Sequence, residues 1–167
     1  LRELERAGVY HVESDADARL EQAFESLTRH ERPAVTSIEI EGRMIGVRRE
    51  GRGVAWFDFH ALCDGPRGKD DYIELARRYH TVLLSGVPRF GPDDADKLRR
   101  FVWLIDEFYD RRVKLIVAAA AAASDLIDVT EETDRFQANL NAPLRERLVS
   151  RLTEMATRDY LTQPHLP

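Results

Sequence analysis

Between Leu98 and Ala119 the chain reads LRRFVWLIDEFYDRRVKLIVAA, and few architectures can accommodate that run. Leu98, Phe101, Val102, Leu104, Ile105, Phe108 and Tyr109 recur at i, i+3, i+4 and i+7 spacings, which makes one broad apolar face of a helix. Pro92 suits a first turn, Asp93, Asp94 and Asp96 complement its positive start, and Arg111 and Arg112 complement its negative end. Val113, Leu115, Ile116 and Val117 then form the short apolar run typical of a buried parallel strand. Residues Thr81 to Pro88 supply a similar run ahead of the helix. The pattern predicts an α/β fold built on a parallel βαβ unit, with strands near 81–87 and 113–119 around a helix over 92–110. Its crossover should be right-handed.

The flanks carry other periods. Ser14 reads as the N-cap of a helix whose face holds Leu20, Phe24 and Leu27 and which Pro33 ends. Residues 35–59 switch to a strand-like alternation, punctuated by Glu41-Gly42 and by Glu50-Gly51-Arg52-Gly53, and predict an antiparallel meander of three strands packed on the βαβ layer. Asp71 and Glu74 have capping-box spacing at the start of a helix ending near Tyr79. The stretch Ser124 to Asn141 reads as a mobile connection with one short helix. Pro143 then opens a last helix, on which Leu144, Leu148, Leu152 and Met155 share a face that Tyr160 continues.

Bulk properties exclude several classes. The 167 residues suffice for one domain with a real core, or two small lobes. A net charge of −5 argues against non-specific nucleic-acid binding. The longest apolar run, Leu115 to Ala123, is too short to cross a bilayer. Cys63 stands alone, so there is neither an internal disulfide nor a cysteine-based zinc site. The chain opens on Leu1 without a signal peptide and reads as a piece of a longer protein.

Five segments, in order, resemble one family. They are Trp56-Phe57-Asp58-Phe59-His60-Ala61-Leu62-Cys63, Asp71 to Ala76, Tyr79 to Pro88, the run from Arg99-Arg100-Phe101 through Asp106, Tyr109-Asp110 and Val113-Lys114-Leu115, and Ser150-Arg151-Leu152 with Glu154-Met155 and Asp159-Tyr160-Leu161. Together these resemble the ZapE-type cell-division ATPases and their mitochondrial AFG-like relatives, of the AAA+ class of P-loop ATPases. The resemblance covers residues 54–161. It makes residues 1–53 a variable connector plus the start of the meander, and the whole of 1–167 the C-terminal portion of such an ATPase. The chain departs from the family at Ala118-Ala119, Ala122 and Leu126-Ile127, and at Leu148, where the family carries Thr.

The nucleotide-binding motifs of the class are absent from the sequence. Gly65-Pro66-Arg67-Gly68-Lys69-Asp70 has too short a spacing for a phosphate loop and an Asp where a Mg²⁺-binding hydroxyl is needed. Asp106-Glu107 lies mid-helix rather than at the end of an apolar strand. This stretch alone is therefore not expected to hydrolyse ATP. What the resemblance implies concerns the longer protein. ATP and Mg²⁺ would bind in an N-terminal P-loop half, hydrolysis would be coupled to remodelling of a protein partner, and homo-oligomers are an expected assembly. In bacteria, the origin favoured by the lack of a transit peptide, that partner is the FtsZ ring at the division septum, which implies a cytoplasmic protein recruited to the inner-membrane division site. In mitochondria the role is protein quality control.

Candidate site residues follow from the same comparison. Arg147 and Arg151 match the family's C-terminal arginines and are candidate nucleotide-sensing residues, since guanidinium groups bind phosphoryl oxygens in a fork; the plain alternative is an interhelix or surface arginine. Arg99 and Arg100 are candidates for subunit contact, against a solvated helix face. Asp106 and Asp110, at i and i+4, could hold Mg²⁺ in a small hydrolase; without a third ligand, local pairing with Arg111, Arg112 and Lys114 is the favoured reading. His11, His30, His60, His80 and His165 lack metal-binding spacing, and Cys63 reads as a buried, inert thiol. Ser85-Gly86 ends a parallel strand, where α/β ligands often bind, without the context of a nucleophile. A non-catalytic protein-interaction module is the competing function.

Overall fold

The computed structural model describes residues 2–29, 37–127 and 135–167. After α1 (Arg2–Ala7), β1 (Tyr10–His11) and α2 (Ala16–Thr28) come β2 (Ser37–Ile40), β3 (Arg43–Gly46), β4 (Arg49–Gly51) and β5 (Val54–Asp58). Then follow α3 (Phe59–Cys63), α4 (Lys69–Arg78), β6 (Thr81–Val87), α5 (Ala95–Asp110) behind a 3₁₀ turn at Pro92–Asp94, and β7 (Lys114–Ala119). A second 3₁₀ turn (Ala123–Asp125), α6 (Arg135–Met155) and α7 (Arg158–Thr162) complete the described elements.

The βαβ unit is present. β6 and β7 pair in parallel from Thr81 opposite Lys114, and α5 connects them. They lie inside a five-stranded sheet ordered β1-β7-β6-β5-β4, in which β1, β7, β6 and β5 run parallel and β4 is antiparallel to β5. Every residue of β7 is buried, as are all but Gly86 of β6, so both sheet faces are covered. Adjacent residues of β5 show the two layers. Trp56 meets Phe24 of α2, whereas Phe57 meets Tyr79 at the end of α4. Phe59, Phe90 and Phe101 close together beside α5, at centroid separations of 5.6–5.8 Å.

The strands expected in one meander are divided between two sheets. β2 and β3 form a separate antiparallel pair, while β5 joins β6 as an interior strand and β4 folds back on it. Burial gives the reason. Ser37–Ile40 alternates exposed and buried, which suits a hairpin with one wet face, but Val54 to Phe57 is buried throughout and needs cover on both sides. Both hairpins turn on two residues with positive φ, Glu41-Gly42 (51° and 75°) and Arg52-Gly53 (53° and 75°), the backbone of a type I′ turn.

Several boundaries differ from expectation. Asp15, not Ser14, caps α2, and that helix stops at Arg29, a left-handed C-cap; Pro33 lies outside the described residues. α4 starts at Lys69 with Gly68 as N-cap. Asp71 sits at its third position and accepts the Gly68 N–H at 2.7 Å, so the cap lies one turn earlier than the Asp71/Glu74 spacing implied, and with glycine as N-cap only the acidic half of a box forms. α6 is helical from Arg135, well before Pro143, which sits inside it and removes one i→i−4 bond. Residues 128–134, part of the expected connection, lie outside the described residues. Tyr160 belongs to the separate α7, which Thr157 caps by accepting the Tyr160 N–H at 3.2 Å. Residues 2–11, read as a connector, form α1 and the edge strand β1 against β7.

Candidate functional site

α6 packs along α5, and the two candidate sensing arginines face the seam between them. Buried Leu148, Leu152 and Met155 dock α6 through one stripe, as the spacing implied. Beside that stripe Arg147 grips Asp106 of α5 with two contacts, Nη2 to Oδ2 at 2.6 Å and Nε to Oδ1 at 3.1 Å. Arg151, one turn later, has its Nε 3.8 Å from the same Oδ1, and its guanidinium lies 4.2 Å from the centre of the Tyr109 ring. Tyr109 donates its hydroxyl to Glu154 Oε2 at 2.8 Å, and this acceptor holds the phenol above its ordinary pKa.

The stack continues below. Tyr109 and Tyr160 lie parallel at 6.0 Å, with the Arg112 guanidinium against both. The Tyr160 hydroxyl donates to the Val113 carbonyl at 2.6 Å, beyond the end of α5. Lys114 is buried at the first position of β7 and donates to the carbonyls of Arg112 (2.8 Å) and Gln163 (2.7 Å), with its ammonium 4.7 Å from the Tyr160 ring centre. Burial pushes this lysine down to about 8. The tail beyond α7 is also tied by Leu166 N–H to the Arg111 carbonyl at 2.8 Å.

Arg99 and Arg100 stand apart from this seam. Arg99 pairs with Asp96 at 2.8 Å, and both it and Lys69 lie 5.4 Å from the Trp103 ring centre. Arg100 is half-buried, and its charge acts on Cys63 and Tyr72. Burial outweighs that charge and pushes the Cys63 thiol up to about 12, consistent with an inert cysteine. Asp106 pairs with the α6 arginines rather than with Arg111, Arg112 or Lys114, and among the described residues no group of His, Cys, Asp or Glu could hold a metal ion.

The loop Gly65 to Asp70 does not fit a phosphate. The Asp71 carboxylate already takes the Gly68 N–H and is itself held by Arg43 at 2.5 Å, so a negative group occupies the helix start. At the carboxyl ends of β6 and β7 lies a cleft of about 340 Å³, lined among others by Ser14, Asp17, Gly86, Pro88 and Ala119. The β6–β7 ladder shifts there, and Gly86 has a φ of 76°. Ser85 is buried, and its hydroxyl oxygen accepts the Trp56 indole N–H at 2.8 Å. His80 is held at both ring nitrogens, by the Arg52 carbonyl and the Thr81 hydroxyl, each at 2.8 Å. Among the described residues no helix is long and apolar enough to cross a membrane.

Sequence reasoning missed the pairing of Asp106 and Tyr109 with Arg147, Arg151 and Glu154. A signal existed. Asp106 and Tyr109 are i and i+3, Arg147, Arg151 and Glu154 are i, i+4 and i+7, and two such polar stripes beside two apolar ones can meet along a helix pair.

Comparison with known proteins gives a consistent match. A family model described as AFG1-like ATPase matches residues 1–164. Lactation elevated protein 1 homolog B of Danio rerio is 32% identical, over 95% of this chain and 37% of its own length. Cell division protein ZapE of Escherichia coli K12 is 30% identical, over 93% of this chain and 39% of its own length. The chain thus spans under two fifths of the length of either relative. No solved structure matches it significantly.

Proposed function

This chain belongs to the AFG1-like ATPase family, and from that premise we propose that it forms the C-terminal part of an ATPase that couples ATP hydrolysis to remodelling of a protein partner. The observation that carries the reading is a family match over nearly the whole chain, on a fold whose α6 turns two arginines toward one carboxylate. ATP and Mg²⁺ would bind in a P-loop half of the longer protein, because the described residues of this chain do not form a phosphate cradle. When bound, they supply the phosphoryl group and neutralise its charge. No step of that transfer is assigned to this chain. Its part is to complete the module, with Arg147 and Arg151 sensing phosphoryl oxygens and with Arg99, beside the half-buried Trp103, and Arg100 offered to a neighbouring subunit of a homo-oligomer.

The relative named as a cell division protein supports a role in bacterial division; the proposed partner is the FtsZ ring at the septum, and the proposed location is the cytoplasm, with recruitment to the inner membrane. The test is Mg-ATP binding and turnover by the full-length protein. Turnover should be present, and Arg151→Ala should slow it while nucleotide still binds. A full-length protein that neither binds nor hydrolyses ATP would sink the ATPase reading. Unchanged turnover in both Arg147→Ala and Arg151→Ala would sink the sensor role alone.

A further inference from the structure

We propose that Asp106 is a displaceable internal ligand of the Arg147–Arg151 pair, and that the α5–α6 seam is a receptor for an oxyanion that takes its place. The proposal rests on the reading of these two arginines as sensing residues and adds how they are held before a ligand arrives.

The charges do not balance at the carboxylate. Asp106 brings one negative charge to two guanidinium groups and pairs with both of them. Arg147 takes the carboxylate in a fork. Arg151 is left with its Nε buried and without a hydrogen-bond partner among the described residues, because 3.8 Å exceeds hydrogen-bond range. A buried donor in that condition is costly and marks a missing acceptor. The Arg151 plane is nonetheless fixed, stacked on Tyr109, whose own hydroxyl is anchored by Glu154. A guanidinium fixed in orientation and short of an acceptor is set for a planar or tetrahedral oxyanion.

Access and competition favour exchange. The Arg147 side chain is 55% exposed, so the fork can be approached from solvent. A group with two or three oxygens can serve both arginines where a single carboxylate serves one well. Phosphoryl groups and the carboxylate of a partner's acidic side chain share this chemistry.

The decisive experiment uses nucleotide-free full-length protein labelled with ¹⁵N-arginine, reading the Nε–Hε signals of Arg147 and Arg151, assigned with Arg147→Lys and Arg151→Lys. Sodium phosphate, sodium acetate and, at matched ionic strength, sodium chloride are titrated in turn. A saturable shift of the Arg151 signal with phosphate or acetate, absent with chloride, is the expected result. Asp106→Asn should tighten that binding at least tenfold, and Asp106→Glu, which keeps the charge, should not. Response to phosphate alone assigns a phosphoryl ligand, and an equal response to acetate assigns a protein carboxylate. The same shift with chloride, no shift with any salt, or unchanged or weaker binding in Asp106→Asn overturns the proposal. Should Asp106→Asn not fold, a fork that Asp106→Glu tightens rather than preserves overturns it as well. ATP turnover in the same samples separates the two readings. If Arg147→Ala and Arg151→Ala both leave turnover intact while the titration behaves as described, sensing fails and the receptor stands. If turnover needs Arg151 but Asp106→Asn does not tighten the oxyanion, the receptor fails and sensing stands.

Discussion

Lys114 is a cation placed where water scarcely reaches, and its pH dependence can be worked out. Its folded pKa of about 8 lies below the ordinary lysine value, so between about pH 8 and 10.5 the unfolded chain binds more protons than the folded one. Folding stability should therefore rise with pH across that window, by about 1–3 kcal/mol. The neutral amine still has two N–H groups for the Arg112 and Gln163 carbonyls, so deprotonation does not release the tail. Cys63 runs the other way, since a thiol raised to about 12 loses stability once the unfolded thiol ionises. Urea midpoints at pH 7.5 and 9.5 should thus rise more in the native protein than in Lys114→Met; equal slopes would refute the assignment to Lys114. Gly53 makes a second residue-level case. A Cβ there would stand 2.6 Å from His80 Cδ2 at a φ of 75°. Gly53→Ala should cost about 1–3 kcal/mol in chemical unfolding, and His80→Ala in that background should recover only the steric part.

At the scale of elements, the end of α5 is held by one hydroxyl from α7. Tyr160 donates to the Val113 carbonyl and lies 3.2 Å from the Phe108 carbonyl, both buried. Tyr160→Phe keeps the ring stack on Tyr109 and removes only these contacts, so it should destabilise by about 1–3 kcal/mol. A change below about 0.3 kcal/mol would mean that water replaces the hydroxyl at that site. Elements also show where the sequence was readable. α5 and its two flanking strands were legible because one stripe of the helix and whole runs of the strands are apolar, and no other arrangement buries them. The start of α6 was not, because polar residues ahead of Pro143 leave a helix undistinguished from a loop by period alone. The caps of α2 and α4 slipped by one and three residues, since Ser14 and Asp15, or Gly68 and Asp71, offer competing side chains and backbone at neighbouring positions.

For the whole molecule, the two sheets should differ in local stability. The interior strands β5, β6 and β7 are covered on both faces, whereas β2–β3 exposes Glu39 and Met44 on one. Amide hydrogen exchange should be slowest in β6 and β7 and measurably faster in the hairpin, with β1 intermediate as a two-residue edge strand. Equal protection in the two sheets would contradict this ordering.

The α/β class, the βαβ unit, the buried cysteine and the family could be read along the chain, because each is written in local period or in residues adjacent in sequence. Packing in three dimensions was needed to divide the antiparallel strands between two sheets, to join β1 to β7 across more than a hundred residues, and to pair Asp106 with Arg147 and Arg151 rather than with its neighbours. Such pairings depend on which surfaces meet once apolar stripes are buried, and a charged residue has many partners of equal chemistry along the chain. Packing α6 on α5 selects one of them.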